Sequence, residues 1–334
     1  MKGVLLINLG SPESLHIKDI RKYLAQFLMD KRIIDLPYII RFLIVYLFIL
    51  PFRPEKSAEA YRKIWEKTGS PLIENTRKLK NILEKEIKEP VEYAMRYGLP
   101  SIKDGLNSLV KKGVDMVYVI PLFPHYAMSS FETCVIETKK TARTHFRNIS
   151  LKIHPPFYDD KNYIEALFET IKPFLKKKYD HILFSYHGIP IRHLKKTDPT
   201  KKHCVKLKNC CRKKSQAHDT CYKYQSLRTS ALIAEKGKLK SENYTVSYQS
   251  RFGRDSWLSP FTEKTITDLA RSGKKNILVT CPSFTADCLE TLEEIGIRAK
   301  ENFINAGGKS LTLVPALNYN KIWVGALKKW IQKA

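Results

Sequence analysis

Short unbroken apolar runs alternate along this chain with stretches whose apolar residues recur every three to four positions. Val4-Leu5-Leu6-Ile7 and Ile182-Leu183-Phe184 are runs of the first kind, each followed within a few residues by a Gly-x-Pro turn, Gly10-Ser11-Pro12 and Gly188-Ile189-Pro190. Runs of this length, apolar on both faces, predict strands of a parallel sheet covered from both sides. Residues 102–112 and 262–272 carry the helical period and predict the covering helices. Alternation of the two patterns implies an α/β fold.

The pattern repeats. Arg96-Tyr97-Gly98 precedes a helical stretch ending at Gly113, and Arg251-Phe252-Gly253 precedes one ending at Gly273. Each is followed by a strand and a Pro-x-Phe turn, Pro121-Leu122-Phe123 and Pro282-Ser283-Phe284. Landmarks matching in the same order predict a duplicated unit. The expectation is two similar Rossmann-like domains with doubly wound parallel sheets, residues 1–158 and 159–334, with a last helix at 319–333 that can fold back on the first. In such sheets ligands bind beyond the carboxyl ends of the strands, so the site is expected in a cleft between the domains.

Two stretches depart from this plan. Residues 38–50, between Pro37 and Pro51, are almost entirely apolar. As a helix they would rise about 20 Å, against roughly 30 Å of bilayer hydrocarbon, which is too short to span. They form either a buried core helix or an exposed hydrophobic lip, taken here as 36–52, and flanking Lys31, Arg32 and Arg53 suit an anionic interface. The second stretch, 287–303, reads as one helix. On it Asp287, Glu290, Glu294 and Glu301 fall within a sector of about 60°, opposite Leu289, Leu292, Ile295, Ala299 and Phe303. Such a stripe is either solvated surface or a surface that handles cations and protons, because stacked carboxylates repel one another. His187, at the end of a strand before a Gly-x-Pro turn, is either a hydrogen-bonded core histidine or a proton acceptor.

Composition narrows the partners. The chain has 334 residues, 43% of them hydrophobic, and a formal charge of +26. It needs no disulfides to support its core and is attracted to anions: nucleic acid, an acidic membrane face or a carboxylate-bearing small molecule. The basic residues are spread without a recognition module, which argues against nucleic acid. Lys2-Gly3-Val4-Leu5-Leu6-Ile7 reads as a strand rather than a signal peptide, so a reducing cytoplasm is expected. There, four of the seven cysteines grouped as Cys204, Cys210, Cys211 and Cys221 are better explained by metal than by disulfides. Their spacing, C-x5-C-C-x9-C, matches no common zinc ribbon.

Ser185-Tyr186-His187-Gly188-Ile189-Pro190, Gln249-Ser250-Arg251-Phe252-Gly253 with Trp257-Leu258, and Asp287-Cys288-Leu289-Glu290-Thr291-Leu292 resemble the ferrochelatase family, as do Asn8-Leu9-Gly10-Ser11-Pro12 and Gly69-Ser70-Pro71. The resemblance runs from Val4 to Asn318. It implies a lyase that inserts Fe2+ into protoporphyrin IX, the last step of haem biosynthesis. By that resemblance His187 and Glu290 are catalytic and meet the Fe2+ substrate. Asp287, Glu294 and Glu301 line a metal or proton path, and Leu9, Arg53, Tyr61, Ser70, Tyr126 and Trp257 bind the porphyrin. Leu9 stands where the coproporphyrin branch tends to carry tyrosine, which favours protoporphyrin.

The resemblance also implies that residues 36–52 are the lip of the active site, with peripheral association at the inner face of the cytoplasmic membrane and contact with the preceding oxidase. Some bacterial members carry four cysteines in an internal insert, here 202–222. This implies a [2Fe–2S] cluster on Cys204, Cys210, Cys211 and Cys221, with zinc as the alternative metal and His203 or His218 as substitute ligands. The rival activities are coproporphyrin ferrochelatase, a cobalt or nickel chelatase of the same fold, and a porphyrin or haem carrier without turnover.

Overall fold

The computed structural model describes residues 1–253 and 255–334. They form two compact units, Met1–Leu122 with Met128–Pro155 and Tyr319–Ala334, and Phe123–Ala127 with Pro156–Asn318. In the first unit the strands β1 (Lys2–Gly10), β2 (Val91–Tyr97), β3 (Met116–Pro121) and β4 (Ser150–Ile153) form a parallel sheet in the order β2-β1-β3-β4. In the second, β5 (His181–His187), β6 (Tyr244–Gln249), β7 (Asn276–Thr280) and β8 (Ser310–Leu313) repeat it as β6-β5-β7-β8. The duplication expected from the sequence is therefore a duplication of topology, and both units are Rossmann-like.

The burial of the strands follows from their composition. Val4 to Ile7 and Ile182 to Phe184 are inaccessible to solvent, as apolar runs enclosed on both faces must be. In the second unit Ile266 and Ala270 of the helix Thr262–Arg271 and Ile295, Ala299 and Phe303 further on close over Leu183 and Val279. In the first unit the helix Lys321–Lys333 buries Trp323 and Trp330, the latter stacked on His154 at 4.3 Å, and the Lys2 ammonium donates to the Ile331 carbonyl at 2.7 Å.

Both sheets switch direction between their first and third strands in chain order, β1 and β3 in one unit, β5 and β7 in the other. At such a switch point the two crossovers leave in opposite directions and open a crevice at the carboxyl ends. His187 is the last residue of β5, and Pro282-Ser283-Phe284 follows β7, so the second unit brings both motifs to its switch point. The loops returning after the second strand of each unit differ in length. Met95 N–H donates to the Pro100 carbonyl at 2.7 Å, whereas Tyr248 N–H donates to that of Pro260 at 2.9 Å, so the second loop is longer and has room for Trp257.

The apolar stretch is a short α-helix, Tyr38–Leu43, running into a π-helical turn, Ile44–Ile49. Val45, Ile49 and Leu50 anchor it in a cluster with Ile20, Leu24 and Ala58, against which Leu9 packs. Its other side is open: Ile39 is 72% exposed and Phe48 70%. Of the two alternatives for this stretch, an exposed lip with one buried edge is what forms. Arg41, the one charge within it, turns inward and donates to the carbonyls of Ile34 and Leu36 at 3.3 and 2.9 Å. No helix among the described residues is long and apolar enough to cross a membrane.

Candidate active site

The expected helix over 287–303 is not continuous. It divides into an α turn (Leu289–Leu292), a π-helical segment (Glu294–Ala299) and an α-helix (Lys300–Asn305), with Arg298 N–H reaching back five residues to the Glu293 carbonyl at 2.9 Å. Each wider turn adds residues per revolution and rotates every later side chain about the axis, so a stripe drawn at 100° per residue loses its register. Asp287 lies outside the helix. Its carboxylate is buried and accepts from Thr291 Oγ1 at 2.9 Å, Asn318 Nδ2 at 2.7 Å and the Ala316 N–H at 3.2 Å, which ties the loop after β8 to the helix start. Glu301 stands exposed on the last turns. The four carboxylates therefore do not form one exposed stripe, while Glu290 and Glu294 remain neighbours.

Glu294 is anchored by a single residue. Its two oxygens accept from Ser250 N–H at 2.8 Å and Ser250 Oγ at 2.5 Å. Ser250 follows β6 directly and takes φ +63°, a left-handed conformation that non-glycine residues rarely adopt, and here it aims both donors at one carboxylate. Burial pushes the Glu294 carboxyl above its usual value against the opposing pull of the Ser250 hydrogen bond and the His187 charge, while Glu290 pushes it up further. His187 and Glu290 are thus each within electrostatic reach of Glu294. Gln249, the last residue of β6, donates from Nε2 to the Glu290 carbonyl at 2.7 Å and accepts at Oε1 from Ser185 Oγ at 2.7 Å. A buried polar chain so links the carboxyl ends of β5 and β6 to the helix that carries both carboxylates. Burial drives the Cys288 thiol well above the usual thiol range, and the neighbouring Glu290 carboxylate adds to the rise.

His187 is held in one orientation. Its Nδ1 lies 2.6 Å from the Gly188 carbonyl, an acceptor only, which assigns the proton to Nδ1 and leaves the lone pair on Nε2. Its backbone N–H donates to Ser283 Oγ at 3.2 Å, and Phe284 stands 6.3 Å away, ring to ring. Gly188 is required where it is. A Cβ there would sit 2.8 Å from the Gln249 carbonyl and 3.2 Å from the Trp257 ring. Trp257 is half-buried, bridges to Pro190, and keeps an enclosed indole N–H without a hydrogen-bond partner. Tyr126, also in the second unit, gives its N–H to Gln225 Oε1 at 2.6 Å.

The remaining porphyrin candidates belong to the first unit. Leu9 packs against the cluster containing Ala58, from the helix Arg53–Arg62 that also carries Arg53 and Tyr61. Tyr61 is buried edge-on to Trp65 at 5.8 Å, Arg53 is exposed at the first turn, and Ser70 is the buried N-cap residue of the helix Pro71–Glu86.

The four grouped thiols are joined in a chain of contacts, Cys204 to Cys221, Cys221 to Cys211, and Cys211 to Cys210. Contact with Cys204 is the largest influence pushing the Cys221 thiol up, to about 12, and contact with Cys221 drives Cys211 higher still. Among the described residues no three such groups surround a common metal position. The donor set nonetheless suits a soft, thiolate-binding group: three of the four sulfurs are buried, all are free thiols, and crowding disfavours ionisation of Cys211 and Cys221 unless a positive centre joins them. His203 and His218 place Nε2 at 2.8 and 3.4 Å from the Cys210 carbonyl, so those nitrogens serve the loop rather than the sulfurs. Asp198 accepts the N–H groups of both His203 and Cys204 at 2.8 Å, and Val205 holds φ +63°, an unusual value for a β-branched residue.

Comparison with known proteins now decides the family. The ferrochelatase family profile matches residues 1–334. The chain belongs to the ferrochelatase family. Ferrochelatases of Pseudomonas fluorescens (strain Pf0-1) and Ectopseudomonas mendocina (strain ymp) are each 47% identical to it over 334 residues, covering 99% of this chain and 98% of theirs. That of Stutzerimonas stutzeri (strain A1501) is 44% identical over 335 residues, covering 100% of this chain and 98% of its own. Among solved structures, SirB from Bacillus subtilis with Fe3+ superimposes with a TM-score of 0.55 at 11% identity, over 99% of this chain and 94% of that one. This distant likeness shows the shared fold. As a member of the ferrochelatase family, the chain is an enzyme of metal insertion into a porphyrin.

Several residues that hold the site carried no sequence signal of their own. Ser250, Gln249, Ser283 and Asn318 are ordinary polar residues until the strand ends converge. Gln249 and Ser250 lie inside a recognised motif, which was the only available hint.

The raised carboxyl of Glu294 has a consequence for stability. A group whose folded pKa lies above its ordinary value near 4.5 favours the folded state at low pH, and that contribution is lost as pH rises through the folded pKa. Glu294→Gln removes the charge and keeps an acceptor for Ser250. The variant is expected to melt higher than the native protein at pH 7–8, with the difference shrinking towards pH 4.5, read by thermal unfolding across that range.

Proposed function

We propose that this chain inserts Fe2+ into protoporphyrin IX to give protohaem, with His187, Glu290 and Glu294 as the reacting side chains. The observation that carries this reading is the Glu294–Ser250 anchor beside His187 and Glu290 at the carboxyl ends of β5 and β6. A free porphyrin holds two inner N–H protons that must leave before a metal can enter. His187, with its Nδ1 proton committed to Gly188, presents Nε2 as a base or a borderline ligand. Glu290 supplies hard oxygen ligands able to replace water on Fe2+. Glu294, whose neutral form is favoured by burial, is suited to take up and pass on protons. A porphyrin carrier needs neither His187 nor this carboxylate pair.

Trp257 and Tyr126, with Leu9, Arg53, Tyr61 and Ser70, are assigned to the porphyrin. An apolar, flat dianion matches aromatic walls together with a basic side chain for its propionates. Leu9 in place of a tyrosine favours protoporphyrin over coproporphyrin. Cys204, Cys210, Cys211 and Cys221 are assigned as thiolate ligands of a [2Fe–2S] cluster, which supplies a redox-active iron centre when bound.

The open apolar face of Ile39, Phe48 and their neighbours is assigned to the inner leaflet of the cytoplasmic membrane, where a hydrophobic porphyrin is made and handed over by the preceding oxidase. The charge beside it supports an anionic leaflet. Arg32 is committed to Glu132 at 3.1 Å, but Lys18, Arg21 and Lys22 line a groove together with Tyr46 and Leu50.

Three experiments test these assignments. His187→Ala and Glu290→Gln are each expected to lower iron insertion by about 100-fold or more in protein that folds normally, the scale of a lost acid–base or ligand group; native activity in both would remove them from the reaction. Protein purified without oxygen is expected to show visible charge-transfer absorbance with equal iron and acid-labile sulfide, lost in Cys211→Ser. A colourless, zinc-containing sample would favour zinc. Sedimentation with anionic vesicles is expected to carry down the native protein and to leave an Ile39→Ser/Phe48→Ser double variant in solution, whereas equal binding of the two would place the contact elsewhere.

A further inference from the structure

The crossover from β5 to β6 carries a loop that closes on itself through hydrogen bonds alone. At its base Thr220 Oγ1 donates to the Thr197 carbonyl at 2.5 Å, and the Thr197 hydroxyl lies 3.2 Å from the Thr220 carbonyl. Just inside, the buried Asp198 carboxylate accepts four bonds. One oxygen takes the N–H and the hydroxyl of Thr200 at 2.9 and 2.7 Å, the other the N–H groups of His203 and Cys204 at 2.8 Å. Lys201, Val205 and Asn209 hold φ of +55°, +63° and +56°. Three non-glycine residues so close together in the left-handed region persist only where surrounding bonds over-determine the backbone. The surface of this preshaped loop has one sign of charge. Nine of the residues from Lys195 to Lys214 are exposed lysines or arginine, and the one carboxylate in that stretch is Asp198, turned inward. Elsewhere exposed lysines have carboxylates beside them, as Lys236 has Glu165 and Lys264 has Asp268, each at 2.6 Å. Interleaved with Lys206 and Lys208, Val205 and Leu207 stand 43% and 42% exposed.

We propose that residues 195–214 are the docking surface for an acidic segment of a partner protein, with Val205 and Leu207 meeting its apolar side chains and the surrounding cations its carboxylates. Complementary charge selects the sign of the partner and speeds the encounter, while the apolar pair supplies the part of the contact that survives in salt. Two other anionic partners fit this loop less well. Segments that enter a membrane interface carry aromatic side chains, as the lip does with Tyr38, Phe42 and Phe48, whereas residues 195–214 contain no Phe, Tyr or Trp. Nucleic acid is held by bidentate arginines and stacking aromatics, and here eight of the nine exposed cations are lysines. The docking needs no metal on the cysteines, because the bonds of Thr220 and Asp198 already set the shape of the loop. It is also independent of the reaction assigned to His187 and Glu290.

The test is phage display of random peptides on the native protein and, in parallel, on Lys206→Glu/Lys208→Glu. The native protein is expected to enrich sequences in which Asp and Glu are interspersed with Leu, Ile or Phe, and the variant to enrich none of them. A synthetic peptide of the enriched sequence is expected to bind about tenfold or more weakly to Lys206→Glu/Lys208→Glu and to Val205→Ser/Leu207→Ser, the scale of a lost interface anchor. Asp198→Ala adds net positive charge yet unhooks the loop, and is expected to weaken binding too, which separates shape from charge. Lys103→Glu/Lys111→Glu, the same change of charge at exposed positions of the first unit, is expected to bind the peptide as the native protein does. Iron insertion and sedimentation with anionic vesicles are expected to stay native in both loop double variants. Equal enrichment by the native protein and Lys206→Glu/Lys208→Glu, or an equal loss in Lys103→Glu/Lys111→Glu, overturns the proposal and leaves unspecific charge attraction. Loss of vesicle or duplex DNA binding confined to the loop variants, with peptide binding unchanged, overturns it in favour of a membrane or nucleic-acid partner.

Discussion

A carboxylate held on both donors of a single left-handed serine is the constraint on which the rest of the site depends. Glu294 cannot move without breaking two hydrogen bonds to Ser250, and Ser250 cannot relax without releasing the end of β6. Gln249, one residue earlier, fixes the Glu290 carbonyl and reaches Ser185 on β5. Two strand ends and one interrupted helix are thereby tied together around the two acids. Buried polar networks of this kind are costly if any member is left unsatisfied, which is why each polar side chain here has a neighbour.

The two units share a topology and have been put to different use in the same place. In the first, the crossover from β1 to β2 contains the exposed apolar lip; in the second, the crossover from β5 to β6 contains the cysteine loop. The switch point of the second unit holds the titratable side chains. Its return loop is longer than the counterpart in the first unit by enough to present Trp257, and only a glycine at 188 lets that ring approach. Both units also widen the helix after their third strand into a π-helical turn, Met128–Glu132 and Glu294–Ala299.

The strands, their parallel pairing and the duplication were legible because continuous apolar runs and turn signals survive in any context that buries both faces. His187 at the end of β5 and Glu290 and Glu294 as neighbours on one helical stretch were legible from motif and placement. The acidic stripe was not, because a π-helical turn leaves no mark in residue periodicity, and Asp287 and Glu301 go elsewhere once the phase shifts. Asp287 holds the loop after β8 through Thr291, Ala316 and Asn318. Ser250 and Ser283 were invisible for another reason. Their importance arises from where a strand ladder stops, and no local pattern records that.

The most direct measurement of the account is anomalous diffraction from porphyrin-free crystals soaked in a divalent transition metal such as Co2+. The proposed assignment predicts a metal bonded to His187 Nε2 and to a Glu290 carboxylate oxygen at ordinary ligand distances of about 2.0–2.2 Å, with Nδ1 still on the Gly188 carbonyl. Metal found only on exposed carboxylates such as Glu301, with His187 and Glu290 bare at saturating concentration, would contradict it.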